Sequence, residues 1–194
     1  MNEHILLAPQ PTIKRKADLN GADYYPTPAW ATQALLKNES FNGKVWECAC
    51  GDGAMSEVIK SNGYDVYSSD LWDRGYGDSG VDFTKANKKF DNIITNPPFH
   101  SAEEFVFRGL ANSKNKLALL LRLAFLESGK RQLQIFKSNP PSKVWVFSER
   151  ITFYPKDAVR KGSGTTAYAW FVWDKNGDGK TELDWLPLGM KSSY

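Results

Sequence analysis

Histidine occurs only at His4 and His100, and cysteine only at Cys48 and Cys50. Two cysteines two positions apart suit neither a disulfide framework nor a four-ligand zinc site, because no second pair completes either. Reduced thiols fit a cytoplasmic chain. The scarcity of histidine also leaves Gly77-Asp78-Ser79-Gly80, which looks like a serine-protease nucleophile loop, with only His4 and His100 as candidate bases. No apolar run reaches the roughly 18 residues of a membrane span. The longest, Leu117 through Leu126, is broken by Arg122. The first residues lack the charged, apolar and small-residue regions of a secretory signal, so the expected location is the cytoplasm. An excess of either charge is lacking too, with 25 lysines and arginines against 22 aspartates and glutamates. A net charge of +3 and a pI near 8.7 permit a polyanion partner without demanding one.

What is present is a core. Of 194 residues, 41% are hydrophobic and 13% aromatic, with seven tryptophans, which is ample for one folded domain and too apolar for a disordered chain. Residues 1–23, with Pro9, Pro11 and the basic knot Lys14-Arg15-Lys16, are expected to form a flexible leader: a solvated tail, or an arm that touches phosphates. The domain is expected over 24–194.

The periodicity predicts helices over Pro28–Leu36, Ala54–Ser61, Ser101–Ala111 and Ser128–Lys137. Thr27 and Ser101 are the expected caps of the first and third. Strands are expected at Lys44–Cys50, Tyr64–Ser69, Phe90–Thr95, Leu117–Leu121, Lys143–Phe147, Ala167–Trp173 and Thr181–Trp185, the last two as a β-hairpin. The turn between them, Asp174-Lys175-Asn176-Gly177-Asp178-Gly179, resembles the start of a calcium loop, but its twelfth position is Trp185 and not glutamate, so no metal is expected. Alternating strands and helices predict an α/β fold, a mostly parallel sheet with helices on both faces and an antiparallel C-terminal edge. In such sheets ligands sit beyond the carboxyl ends of the strands. The polar clusters at Glu47–Gly53, Asp70 and Asn96–Phe99 all fall there.

The turn Glu47-Cys48-Ala49-Cys50-Gly51-Asp52-Gly53 ends a strand and opens a helix. Gly51 and Gly53 allow a tight bend and close backbone approach to a ligand. A lone GxG is a common turn. It lacks the third glycine of the dinucleotide fingerprint and the lysine of a P-loop. Asp70, about twenty residues on, can accept from ribose hydroxyls. Asp82-Phe83 can pair with an adenine amine and cover its ring, although Asp82 is equally readable as a loop carboxylate.

Asn96-Pro97-Pro98-Phe99 is the most specific feature. Two prolines after a buried strand fix an extended turn and remove two donors, leaving carbonyls free to accept. The Asn96 amide oxygen adds an acceptor. Two acceptors on the hydrogens of an exocyclic base amine favour a pyramidal nitrogen whose lone pair can attack an electrophilic methyl. Phe99 offers a flat face for the base.

With these residues the chain resembles the class I S-adenosylmethionine-dependent amino-methyltransferases that carry an NPPF-type motif. The likeness is greatest to small phage-type DNA adenine N6-methyltransferases. Tyr25-Pro26-Thr27-Pro28, Leu121 to Ser128 and the strand Ala169–Trp173 extend the match from about Tyr24 to Trp185. The resemblance implies a Rossmann-like seven-stranded sheet, S-adenosylmethionine as cofactor and DNA as partner. It implies that Thr27 and Pro28 flank the methionine end of the cofactor, that Glu47, Gly51 and Gly53 lie against it, that Asp70 holds the ribose, and that Asp82 and Phe83 hold the adenine. Asn96, Pro97, Pro98 and Phe99 would hold the target amine. The same motif occurs in RNA guanine N2-methyltransferases, some of which continue with histidine as His100 does, and in methylases of a protein glutamine.

Basic and aromatic residues interleave between Arg150 and Thr166. Arg150, Lys156, Arg160 and Lys161, with Phe153 and Tyr154, read either as a loop for phosphates and bases or as a solvated face. Arg122 can meet phosphate or pair with Glu127. Ser148–Ala167 is the only segment available as a recognition element, so a short or relaxed target sequence is expected. A non-catalytic nucleic-acid-binding module is a third reading, but a mere binder needs neither the glycine turn nor the Asn-Pro-Pro-Phe turn.

Overall fold

The computed structural model describes residues 25–153 and 164–192. Among them seven strands form one sheet: β1 (Val45–Glu47), β2 (Val66–Ser68), β3 (Phe90–Thr95), β4 (Ser113–Arg122), β5 (Lys143–Phe147), β6 (Tyr168–Asp174) and β7 (Glu182–Leu186). Their order is β2-β1-β3-β4-β6-β5-β7. The β1–β2, β1–β3, β3–β4 and β5–β7 pairings are parallel, while β6 runs antiparallel to both its neighbours, β4 and β5.

The central strands are apolar on both faces because both are covered. In β3, β4 and β6, Ile94, Ala118, Leu120, Trp170 and Val172 face a cluster built with α1 (Ala29–Asn38) and α2 (Ala54–Ser61). The alternate residues Ile93, Leu117, Leu119, Leu121, Ala169, Phe171 and Trp173 face a second cluster with α3 (Ala102–Asn112). The period of two is thus preserved under a uniformly hydrophobic sequence. Gly109 of α3 lies so close to β4 that a Cβ there would sit 2.6 Å from a Leu117 methyl. Among the described residues no helix is long and apolar enough to cross a membrane.

The α/β expectation of a mostly parallel sheet with helices on both faces holds, with local corrections. The last two strands do not pair with each other, because β5 lies between them and β7 adds parallel to β5. Cross-strand burial of Val144 against Phe171 outweighs the short connection between β6 and β7. Pro28 and Ser101 occupy cap positions without a side-chain cap bond, and Thr27 does not cap α1. Where one amphipathic helix was expected over Ser128–Lys137, a turn of α-helix, α4 (Gly129–Arg131), is capped by Ser128 and passes into a π-turn at Gln132–Phe136. The turn Asp174–Gly179 uses its acids on its own backbone: the Asn176 and Lys180 N–H groups donate to Asp174 and Asp178.

Trp170 joins the sheet to α1. It is fully buried, and its Nε1 donates to the Ala31 carbonyl at 2.9 Å. Trp170→Ala is expected to lower stability by about 3–5 kcal/mol in urea unfolding; a loss below about 1 kcal/mol would contradict this central position.

Candidate active site

Because β1 to β4 are parallel, their carboxyl ends open on one side of the sheet. Glu47 ends β1, Asp70 follows β2 by two residues, Asn96 follows β3 directly, and Arg122 ends β4. A cavity of about 360 Å³ opens there, and its lining includes Thr27, Glu47, Asp70, Asp82, Phe83 and the whole Asn96–Phe99 turn.

The glycine turn is organised by Asp70. The Gly51 N–H donates to Asp70 Oδ2 at 2.8 Å and the Trp72 N–H to Oδ1 at 2.9 Å, so one buried carboxylate ties the loop after β1 to the loop after β2. Gly51 (φ 55°) and Gly53 (φ 88°) both adopt left-handed backbone. A Cβ on Gly53 would meet the Tyr76 ring at 2.5 Å. Tyr76 is itself fixed by a hydroxyl bond to Glu57 and by Lys60. Gly51, Gly53 and Pro28 do not line the cavity. The glycines shape the turn, and Gly53 also admits the Tyr76 ring.

Glu47 is 1% exposed. It accepts from the Ser56 hydroxyl at 2.7 Å and more distantly from Thr95. Burial raises its pKa to about 8, with the nearby Asp70 charge adding to the rise. At neutral pH this carboxyl is therefore largely protonated. Asp82 caps a 3-10 turn at Phe83–Lys85, accepting from the Thr84 N–H and hydroxyl and pairing with Lys85 at 2.7 Å. Lys85 above all, then Thr84, holds its carboxyl below the usual range. Phe83 is 2% exposed and packs on Trp46 and Phe105, so it belongs chiefly to the core and presents little of its ring to a ligand.

The tetrapeptide turn shows an incomplete pattern of hydrogen bonds. Asn96 Nδ2 donates to Thr27 Oγ1 at 3.0 Å, which fixes the amide. Its Oδ1 is buried and has no partner among the described residues. Pro98 O accepts from the Ser101 N–H at 2.9 Å, so this carbonyl is not free as expected. Pro97 O has no protein donor among the described residues, and it joins Asn96 Oδ1 as the second open acceptor. Phe99 is half-buried, with Tyr168 tilted 35° at 5.6 Å and the Arg122 guanidinium 4.8 Å from its centroid. Thr27 thus acts on Asn96 across the cleft. The sequence gives no sign of this, since 69 residues separate them.

The candidate substrate residues are more scattered. Arg122 and Arg150 are exposed and lie outside the cavity lining; Arg150 donates to the Thr165 carbonyl. Arg122 does not pair with Glu127, whose carbonyl instead accepts from Arg131. Lys156, Arg160 and Lys161 lie outside the described residues. Sequence reasoning missed Leu71 and Trp72, which are about half exposed on the cavity wall, and Arg74 beside them. A tryptophan two residues beyond an acidic strand end, in a glycine-rich loop, was the available signal. Among the described residues no group of histidine, cysteine, aspartate or glutamate could hold a metal ion.

No family model and no curated protein matches the chain. Solved structures do. The modification subunit of a candidate type I restriction enzyme from Vibrio vulnificus superposes with a TM-score of 0.62 at 14% identity, covering 89% of this chain and 49% of that one. A candidate RNA methyltransferase from Pyrococcus horikoshii gives 0.59 at 16% identity, covering 78% and 87%. The fold is the Rossmann-like methyltransferase fold. A candidate hemolysin from Lactococcus lactis shares it as well, at 0.52 and 14% identity over 84% and 92%, so the fold alone assigns no reaction.

The neutral state of Glu47 makes stability depend on pH. The folded protein keeps this proton up to about pH 8, whereas the unfolded chain releases it near 4.5. Unfolding between those values therefore releases a proton, and stability falls as pH rises through that window, by at most about 1.4 kcal/mol per pH unit. Glu47→Gln should remove this dependence. Urea midpoints of both proteins from pH 5 to 8 measure it, and parallel curves would show Glu47 ionised.

Proposed function

We propose that the protein transfers a methyl group from S-adenosylmethionine to the N6 amine of adenine in DNA, at a short or relaxed target sequence. The observation that carries this reading is the buried Asn96 Oδ1 and the Pro97 carbonyl of the next residue, neither with a partner among the described residues. Leaving a buried acceptor unmade costs about 1–3 kcal/mol, which folding alone does not recover. An amine with two hydrogens satisfies both acceptors at once.

The cavity suits the cofactor. Its wall supplies the acidic side chains Asp52, Asp70 and Asp82 for a cation and hydroxyls, and apolar surface from Leu71, Val81 and Phe105 for a purine. The cofactor supplies an electrophilic methyl group on a sulfonium. The protein does the rest by positioning. Thr27 orients the Asn96 amide, Oδ1 and the Pro97 carbonyl hold the amine hydrogens, and the proline pair keeps those acceptors rigid. Electron density on the nitrogen would then localise in its lone pair, which would form the bond to the sulfonium methyl as the carbon–sulfur bond breaks; the thioether S-adenosylhomocysteine would leave, and one amine proton would pass to solvent. Phe99 supports the plane of the base, and Arg122, Arg150 and the basic residues at 156, 160 and 161 serve phosphates, which carry no sequence information. Two of the similar structures bear names of nucleic-acid-modifying proteins, which supports a base as acceptor. A second reading is RNA (guanine N2 or adenine N6) or a protein glutamine. His100, exposed on the cavity wall directly after the tetrapeptide, favours the RNA guanine form.

Incubation with a labelled methyl donor and duplex DNA, single-stranded DNA, RNA or protein extract, followed by nucleoside and amino-acid analysis, tests the reading. N6-methyladenine from DNA is the expected product; N2-methylguanine from RNA or methylglutamine would replace it with the second. Asn96→Ala should reduce turnover by at least about 100-fold while cofactor affinity stays within about twofold, because its oxygen acts on the acceptor. Retained turnover would refute the role of Asn96. Asp70→Ala should weaken cofactor binding in calorimetry and also lower stability, since it strands the Gly51 and Trp72 N–H groups. Unchanged affinity would remove Asp70 from the cofactor site.

A further inference from the structure

We propose that Arg122 is a gate on the acceptor slot, released by a nucleic-acid phosphate, that selects a base within a strand over a free nucleoside. The inference rests on the methyl-transfer reading above. Arg122 is the last residue of β4 and lies directly opposite Tyr168 on β6. Opposed residues in an antiparallel ladder share a face. Both therefore project on the side where Tyr168 joins Leu120 and Trp170 in the core. Phe99 packs against both: the Tyr168 ring is tilted 35° at 5.6 Å, Phe153 approaches edge-on at 6.3 Å, and the Arg122 guanidinium lies over the ring at 4.8 Å from the centroid.

The cover is held by little. Arg122 is exposed, and its guanidinium forms no ion pair or hydrogen bond among the described residues. Its contact with Phe99 is a cation on an aromatic face, weak where water reaches it. A phosphate oxygen offers the same guanidinium charge-assisted, bidentate hydrogen bonds, which are much stronger. A strand entering the site brings such phosphates to the carboxyl end of β4. Arg122 then turns outward to the phosphate and bares the ring next to the two open acceptors. A nucleoside has no phosphate to offer and must displace the guanidinium unaided. The planar guanidinium also occupies the kind of surface a base would use, which keeps Phe99 covered until a strand arrives.

The test compares the wild-type protein with Arg122→Met, which keeps the length and apolar stem, and with Arg122→Lys, which keeps the charge. Methyl transfer is measured on an adenine-containing DNA oligonucleotide and on deoxyadenosine, across a salt series. In Arg122→Met, kcat/KM on the oligonucleotide should fall, and the slope of log kcat/KM against log salt should flatten by about 0.7–0.9. In the same variant, kcat/KM on deoxyadenosine should rise about two- to fivefold, the loss of a modest cation–π contact. Arg122→Lys should restore the salt slope. A proportional fall on both substrates would make Arg122 a mere support for the Phe99 ring and overturn the gate alone, as would no change on either. Failure of the wild-type protein to methylate either substrate would overturn the methyl-transfer reading and the gate with it.

Discussion

The hydrogen bond from Asn96 Nδ2 to Thr27 Oγ1 is the contact on which the site depends. An asparagine amide has a donor end and an acceptor end. Committing the donor to Thr27 leaves the oxygen with nothing to accept. Thr27 lies just before α1 and Asn96 just after β3, so this one bond joins the entry to the domain to the centre of its sheet. The prolines that follow Asn96 cannot donate, and they keep the neighbouring carbonyl from folding into a helix. An unmet need for two donors is thereby built into a rigid turn.

The surrounding structure holds that turn still. β3 is buried along almost its whole length, and β4 beside it and β6 beyond are apolar on both faces, so the backbone before Asn96 has little freedom. Asp70 ties the two loops that form the opposite wall. Tyr76 locks one of them onto α2 through Glu57 and Lys60. Glu47, packed between Ser56 and Thr95 beneath the cavity, stays neutral because burial penalises its charge more than its hydroxyl partners favour it. A neutral carboxyl there places one fewer anion beside Asp70 than the sequence suggests.

The sheet was legible in the sequence where burial is uniform. The apolar runs of β3, β4 and β6 and the punctuation of glycine and proline around them mark strands and helices within a few residues. The placement of Glu47, Asp70 and Asn96 at strand ends follows from the same pattern. What was illegible is long-range. The insertion of β5 between β6 and β7 depends on cross-strand packing that no local window contains. The Asn96–Thr27 bond spans 69 positions. The left-handed backbone of Gly51 and Gly53 follows from the residue type, but the approach of the Tyr76 ring to Gly53 does not, because a positive φ has the same sequence signature whichever neighbour approaches. Phe83 reads as a ring that could cover an adenine from its place beside Asp82, but its packing between Trp46 and Phe105 is invisible to the sequence.

A structure with S-adenosylhomocysteine and an adenine-containing oligonucleotide bound tests the central claim most directly. The account predicts the adenine amine nitrogen at about 2.8–3.2 Å from both Asn96 Oδ1 and the Pro97 carbonyl, with Asn96 Nδ2 still on Thr27. An adenine bound elsewhere, or an Asn96 amide turned so that Oδ1 accepts from Thr27 and no acceptor faces the base, would contradict it.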